Sequence, residues 1–168
     1  LAGIQESSGY LWRLVVRDPG RTAALLTDAP EHHIHRICAI ARDTQSLDSE
    51  ADAMRRLRRL KAEAALLIAL CDLGGVWSVD QVIEALSDFA DACVDGAFRF
   101  ILRHAISDGK LAPDTPDDPC IGLGMFILAL GKHGARELNY SSDIDLTVFF
   151  DPAAPAFAAA RDPYDQSV

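Results

Sequence analysis

Two aspartates separated by a single residue, Asp143 and Asp145, are the side chains in this sequence best suited to chemistry. Alternate side chains of a β-strand point to the same face, so the two carboxylates are predicted to share a face about 7 Å apart. Carboxylate oxygens bind hard divalent cations, and such cations neutralise the phosphates of nucleotides. The pair therefore predicts a metal-nucleotide site, and a solvated strand end is the alternative for an isolated pair.

Glycines and apolar residues surround the pair in a pattern that favours a phosphate site. An apolar run over residues 125–130 leads into a polar turn, and a second apolar run over residues 146–150 follows the acids. The turn contains Gly131 and Gly134. Because glycine has no side chain, its backbone can approach a phosphate closely.

Three polar side chains of the turn are candidate phosphate ligands. Lys132 and Arg136 carry the positive charge that phosphate oxygens attract, with an ordinary surface charge as the alternative for each. Ser142 is able to hydrogen-bond a phosphate or to cap the turn. The residues alone leave these alternatives open.

The contiguous stretch at residues 131–146, GKHGARELNYSSDIDL, resembles the signature of the glutamine synthetase adenylyltransferases. That family belongs to the polymerase-β-like nucleotidyltransferases, whose pattern is a glycine-containing turn followed by Asp-x-Asp on a strand. Weaker similarity covers residues 11–19, 55–59 and 68–73. Residues after Asp151 show no similarity.

The resemblance implies a bacterial enzyme of nitrogen control with two related catalytic halves, one removing AMP from glutamine synthetase and one adding it from ATP. It implies Asp143 and Asp145 as catalytic residues and as ligands of Mg²⁺, or of Mn²⁺. The implied partners are glutamine synthetase and a PII-type signal protein. The implied nucleotide- and phosphate-binding residues are Gly131, Lys132, Gly134, Arg136 and Ser142.

One residue of the signature points to the deadenylylating, amino-terminal half. The adenylylating half more often has glycine where this chain has Asn139. In the deadenylylating direction, inorganic phosphate attacks AMP held on a tyrosine of glutamine synthetase and releases ADP. His133 and Ala135 depart from the family, which commonly has an apolar residue and a glycine at these positions.

Nucleotidyltransferases of this type use a third carboxylate on a later strand. Asp151 is six residues beyond Asp145 on the same predicted strand, so it is expected about 20 Å away. Asp162 and Asp165 lie in a polar tail. We therefore expect the third acid beyond the end of this chain, which begins at Leu1 and is expected to be a piece of a longer enzyme, weakly active or inactive alone.

Two alternatives from other classes stay open. The first is a helical interaction module that binds glutamine synthetase or a PII-type protein. The second is a different nucleotidyltransferase, one that modifies a small molecule. The long helical region before the acids argues against the second, because small-molecule members tend to begin close to the site.

The composition excludes some functions and favours others. A formal net charge of −9 and a sequence pI near 4.9 argue against a broad surface for nucleic acid or an anionic membrane. No apolar stretch approaches the roughly 20 residues of a membrane span. The cysteines lack metal-ligand spacing and predict small core residues of a reduced, cytoplasmic protein; they are Cys38, Cys71, Cys93 and Cys120.

The predicted fold class is mainly α with an α+β piece at the carboxy-terminal end. We expect a helical domain over residues 1–110, a proline-rich linker over 111–120 and, from the resemblance, the first strands of a polymerase-β-like domain over 121–168. Apolar periodicity, caps and turn signals predict the individual elements. The predicted helices cover residues 9–16, 22–26, 48–73 and 78–107, with another from Pro30, and the predicted strands cover 126–130 and 145–150.

Several local features have competing interpretations. The arginines within residues 55–61 are interpreted as a solvated helix face, with an acidic partner or a phosphate as the alternative. The histidines within residues 32–35 are interpreted as a solvated helix end rather than a metal site. Residues 136–138 are expected to add a helical turn. The tail over 153–168 is expected to be disordered, or to be cut off from the segment that continues it in a longer protein.

Overall fold

The computed structural model describes residues 2–112, 118 and 120–157. A 3₁₀ helix, Asp43–Ser46, joins the fourth and fifth α-helices. The remaining elements in this part of the chain are α1 (Ala2–Ser7), α2 (Gly9–Arg17), α3 (Pro19–Leu25), α4 (Pro30–Arg42), α5 (Glu50–Leu73), α6 (Val79–Ser107), β1 (Met125–Leu130), α7 (Gly131–Gly134) and β2 (Asp145–Phe150).

Four helices, α2, α3, α5 and α6, begin at residues whose side chains accept a hydrogen bond from a free backbone N–H group of the first turn. The Asp18 carboxylate, between α2 and α3, accepts a hydrogen bond of 2.9 Å from the Arg21 backbone N–H. Ser49 caps α5. At α6, Ser78 and Gln81 form the reciprocal capping box that the sequence predicted.

Three long helices, α4, α5 and α6, pack against one another and form the main core. The second half of α5 is buried on nearly all sides, which confirms the prediction made from its continuous apolar sequence. Gly96 of α6 lies against α4, and a Cβ atom added there would be 2.0 Å from the Ala41 carbonyl oxygen. The absence of a side chain at Gly96 therefore lets these two helices approach closely.

The two strands pair antiparallel, with Phe126 opposite Phe149 and Leu130 opposite Asp145. Ile127 and Ala129 lie on the face beside α6 and are half-buried. The other face exposes the Phe126 and Phe149 rings, which stack with centroids 5.2 Å apart. The sequence predicted a buried strand over 126–130, and this is wrong for alternate residues, because only one face has a neighbour among the described residues.

The carboxy-terminal residues pack against the end of α6. Leu102, Leu123 and Ala156 form a small buried cluster, and the Ala112 backbone N–H donates to the Ala156 carbonyl oxygen at 3.0 Å. The expectation of a disordered tail is therefore wrong for residues 153–157. Residues 158–168 of that tail lie outside the described residues.

The structure confirms the predicted fold class, mainly α with an α+β piece at the carboxy-terminal end. Helix α1 was not predicted from the sequence. In α6 the helical spacing of apolar residues places Ile101 on the core face, but Ile101 is 62% exposed. Most of the predicted linker, residues 113–117 and 119, lies outside the described part of the chain, so the domain boundaries stay a prediction. No helix that the structure describes has both the length and the apolarity to cross a bilayer.

Candidate nucleotide and metal site

The signature begins with a tight helical turn directly after β1. Gly131 has a φ of 56° and Arg136 has a φ of 57°, so both ends of the turn use the left-handed region that favours glycine. The predicted helical turn over residues 136–138 is therefore wrong. The helical residues are Gly131–Gly134, and the left-handed Arg136 ends the helical path.

Gly134 lies in the closest backbone contact of this turn. A Cβ atom added at Gly134 would lie 2.3 Å from the Ala129 carbonyl oxygen of β1. Main-chain hydrogen bonds close the turn, from Ala135 N–H to the Gly131 oxygen at 3.0 Å and from Glu137 N–H to the Lys132 oxygen at 2.7 Å. The turn is therefore closed by its own backbone and lies directly against the end of β1.

The two aspartates lie where the chain enters β2. Asp145 is the first residue of β2, whereas Asp143 lies two residues before the strand, so the prediction that both belong to a strand is only half right. Both are exposed, and neither carboxylate has a hydrogen-bond or ion-pair partner among the residues that the structure describes. A Cβ atom on Gly131 would be 3.3 Å from Asp145 Oδ2, so this carboxylate lies beside the glycine turn.

A side-chain amide shapes the loop between the turn and the aspartates. Asn139 Oδ1 accepts hydrogen bonds from the Ser141 backbone N–H at 3.0 Å and from the Ser142 hydroxyl at 2.9 Å. The Ser142 Oγ atom in turn accepts from the Asn139 backbone N–H at 3.0 Å. Ser142 thus caps the loop in this structure, which is one of its two predicted roles.

Carboxylates of α6 hold the turn on the helical part of the chain. His133 is 3% exposed, and its Nε2 atom lies 2.8 Å from Asp91 Oδ1. Since a carboxylate accepts only, Nε2 donates, and Nδ1 is left without a partner among the described residues. Arg136 donates to Asp91 Oδ2 at 2.9 Å and to Asp88 Oδ1 at 2.5 Å. Hydrogen bonding to Asp88 raises the pKa of Arg136 above its ordinary value.

A second anchor ties the loop to α5. The Tyr140 hydroxyl donates to Asp72 Oδ2 at 3.0 Å, and Leu138 is buried. Removal of the hydroxyl from water, together with this hydrogen bond, raises the pKa of Tyr140 above its ordinary range. The loop on which the aspartates lie is therefore attached to two helices, α5 and α6.

The structure brings the predicted residues together in one turn and the loop that follows it; they are Gly131, Gly134, Ser142 and Asp145. Arg136 is not free to bind a phosphate, as the sequence had suggested. The Arg136 guanidinium forms ion pairs with Asp88 and Asp91 of α6, whereas Lys132 is exposed. The acids of α5 and α6 that hold the loop, Asp72, Asp88 and Asp91, were not predicted from the sequence. Their partners lie 42 to 68 residues later, and no local pattern marks such pairs.

Asp151, the nearest later acid, lies at the opposite end of β2 from Asp145. Its carboxylate accepts a hydrogen bond of 2.8 Å from the Ala153 backbone N–H and so caps a turn. Among the described residues, no group of three histidine, cysteine or acidic side chains is arranged to hold a metal ion. The candidate site therefore offers two carboxylates, and as exposed, unpaired oxygen donors they suit Mg²⁺ or Mn²⁺.

A strand, a glycine turn and an exposed Asp-x-Asp pair on a mainly helical chain define a candidate metal-dependent nucleotide site. The chain belongs to the glutamate-ammonia ligase adenylyltransferase family, whose model matches residues 1–167.

Curated relatives of the chain share the same description, "Bifunctional glutamine synthetase adenylyltransferase/adenylyl-removing enzyme". The relative from Bradyrhizobium sp. (strain BTAi1) is 52% identical over 97% of this chain and 17% of that protein. The relative from Rhodopseudomonas palustris (strain CGA009) is 48% identical over 97% of this chain and 17% of that protein. The relative from Xanthobacter autotrophicus (strain Py2) is 47% identical over 94% of this chain and 16% of that protein.

The chain thus spans about a sixth of the length of these relatives. No solved structure matches it.

Proposed function

We propose that this chain is part of an enzyme that removes AMP from adenylylated glutamine synthetase by phosphorolysis and, through a related half, adds AMP from ATP. The observation that carries the proposal is the exposed pair Asp143 and Asp145 beside the glycine turn, in a chain 52% identical to a relative named for both activities. Glutamine synthetase is the proposed protein substrate, and a PII-type signal protein is a proposed regulator.

In the proposed reaction, an oxygen of inorganic phosphate forms a bond to the phosphorus of AMP, the bond to the tyrosine oxygen of glutamine synthetase breaks, and ADP leaves. Mg²⁺ or Mn²⁺ held by Asp143 and Asp145 would neutralise phosphate charge. The Gly131 backbone supplies a surface without a side chain beside Asp145. Lys132, which is exposed, is the proposed cationic contact to phosphate oxygens.

Assignment to the deadenylylating half rests on Asn139. The three hydrogen bonds that Asn139 Oδ1 accepts in the loop require a side-chain oxygen, which glycine lacks. Since the described residues place no third acid beside the pair, we propose that the chain is weakly active or inactive by itself.

Calorimetric titration of ADP with Mg²⁺ or Mn²⁺ into the chain tests the proposed site. We expect binding that needs the metal and is lost in an Asp143→Asn, Asp145→Asn double variant. An Asp151→Asn variant is the matched control, because it removes one carboxylate at the other end of the same strand and is expected to bind as the unchanged chain does. Metal-dependent binding that survives the double variant would place the nucleotide elsewhere.

A helical interaction module is the second candidate, favoured by the extent of the helical core over residues 14–92. It predicts that glutamine synthetase or a PII-type protein binds a variant lacking residues 121–168 as tightly as it binds the whole chain. A measured loss of affinity in that variant argues for the catalytic interpretation instead.

A further inference from the structure

A groove between α5 and the α2–α3 corner concentrates positive charge in a chain whose net charge is −9. The acidic side chains in its lining are Asp18 and Asp52. Spacing of three and four residues along α5 places Arg55, Arg58 and Arg59 on neighbouring positions of one helix face. The six arginines that line the groove are Arg17, Arg21, Arg55, Arg56, Arg58 and Arg59.

Part of this charge is neutralised within the protein. Arg55 pairs with Asp52, and Arg56 donates to the Asp43 carboxylate at 2.9 Å. The Asp18 carboxylate accepts the backbone N–H that begins α3. These pairs leave part of the groove's positive charge without an internal counter-charge.

The arginines that are left lack partners. In the described part of the chain, Arg17, Arg58 and Arg59 make no hydrogen bond or ion pair, and all three are exposed. Arg21 is held in place by a hydrogen bond of 3.0 Å from its Nη2 atom to the Leu14 carbonyl oxygen. Its Nε atom is buried and has no acceptor among the described residues.

The size and lining of the groove indicate what it accepts. Its volume is about 780 Å³, within the range of small-molecule sites and larger than a single phosphate needs. Leu14, Leu47 and Ala62 are its apolar lining residues, and none of the described residues that line it is aromatic and able to stack on a base. Arginine is the side chain whose planar fork matches phosphate oxygens.

We propose that this groove binds a compact anion carrying two or more phosphate groups, such as pyrophosphate or the phosphate chain of a nucleotide, through Arg17, Arg58 and Arg59. Its lining includes no residue of the signature turn, so this site is separate from the pair Asp143 and Asp145. The arginines recognise the phosphate groups, and the rest of the ligand contributes little to the affinity.

The test is calorimetric titration of inorganic pyrophosphate into the 168-residue chain in the presence of EDTA, which silences any metal-dependent site. We expect pyrophosphate to bind at least about tenfold more tightly than orthophosphate, with an affinity that falls as salt is added. An Arg58→Gln, Arg59→Gln double variant is expected to weaken binding by about tenfold for each arginine removed.

Two further variants make the result specific. Arg42→Gln removes an exposed arginine of α4 that lines a different groove, and it is expected to leave the affinity unchanged. Asp143→Asn with Asp145→Asn is also expected to leave it unchanged, which separates this proposal from the proposed metal-nucleotide site. Circular dichroism checks the fold, and Arg59→Gln alone replaces the double variant if that variant unfolds.

Three results would overturn the proposal. They are the absence of pyrophosphate binding, an equal loss of affinity in Arg42→Gln, and binding of an oligoglutamate of matched charge as tight as that of pyrophosphate. The second result would mean that overall charge attracts the anion, and the third that the groove recognises acidic peptides.

Discussion

At Gly134 the chain has no room for a side chain, because the Ala129 carbonyl oxygen of β1 occupies the position where a Cβ atom would lie. Backbone atoms on both sides of this contact are fixed by hydrogen bonds of the turn and the sheet. Glycine at this position thus allows close packing of the turn on the strand, whether or not it also approaches a phosphate as proposed.

Gly134→Ala is expected to destabilise the chain by about 1–3 kcal/mol, because the new methyl group must displace backbone atoms. Thermal or urea unfolding measures this change. Gly20→Ala is the matched control, since an added Cβ in α3 would lie 3.8 Å from the nearest atom and alanine is the better helix former. A Gly134→Ala variant as stable as the Gly20→Ala variant would show that the turn can shift away from β1.

The thiol of Cys38 gives a prediction that depends on pH. Cys38 is 5% exposed, and burial raises its pKa from 9.0 to about 11. At pH 8 its thiolate fraction is therefore expected to be about a hundredfold lower than that of an unfolded cysteine, with alkylation slowed accordingly. Mass spectrometry of iodoacetamide-treated chain, with and without urea, measures the ratio.

The raised pKa of Cys38 also makes the stability of the folded chain depend on pH. The folded state disfavours the thiolate, so the contribution of Cys38 is fully present below pH 9 and is lost as the pH rises from about 9 to about 11. Native-state alkylation of Cys38 as fast as that of the unfolded chain would contradict both statements.

At the scale of elements, α6 both forms the core and holds the signature turn. One side of the helix packs on α4. Its acids Asp88 and Asp91 bind the buried His133 and the half-exposed Arg136. A turn of four residues cannot fix its own orientation, whereas a 29-residue helix packed on two others provides a rigid support.

Asp91→Ala is expected to cost about 1–3 kcal/mol of unfolding free energy, because it leaves the buried Nε2–H of His133 without an acceptor. In a His133→Leu background the same substitution is expected to cost less, since no buried donor remains. A double-mutant cycle from urea unfolding measures the coupling, which we expect to be at least about 1 kcal/mol.

Glu84→Ala is the control for this cycle, because it removes an exposed acid from the same helix. It is expected to change stability by no more than about 0.5 kcal/mol. Hydrogen exchange should locate the loss in Asp91→Ala at residues 131–142. Faster exchange throughout α4 and α5 instead would show that Asp91 supports the core and not the turn.

At the scale of the whole molecule, the two hydrophobic clusters are unequal. The main cluster lies entirely within residues 14–92, and the second joins Leu102 of α6 to Leu123 and Ala156. The sheet has two strands, with exposed apolar side chains on both faces, such as Phe149 on one and Val148 on the other. We therefore expect the helical part to fold without the sheet, and the sheet to depend on the helices.

A variant containing residues 1–110 is expected to unfold cooperatively, at a lower temperature than the whole chain, because the main cluster is intact and the second is lost. A peptide containing residues 111–168 is expected to be largely unfolded, since two strands alone are marginal in water. Circular dichroism during heating tests both. A non-cooperative transition in the first variant would contradict the predicted domain boundary at residue 110.

Much of this arrangement could be predicted because it depends on neighbours in sequence. The capping box at Ser78 and Gln81, the end of α5 at Gly74 and the start of α4 at Pro30 involve residues within one helical turn. The side-by-side position of the glycine turn and Asp145 is different, because it comes from the antiparallel pairing of Leu130 with Asp145 across a connection of fourteen residues.

The sequence by itself determined the mainly helical architecture, the two strands and the carboxylate pair, because periodicity, caps and turn residues act locally. Tertiary structure alone decided that the side chains of Arg136 and His133 bond to acids of α6 and that the Tyr140 hydroxyl bonds to an acid of α5. The paired side chains are 42 to 68 residues apart, so no local pattern specifies them. Only the packing of α5 and α6 brings those acids to the loop, and that packing converts a recognisable motif into a positioned candidate site.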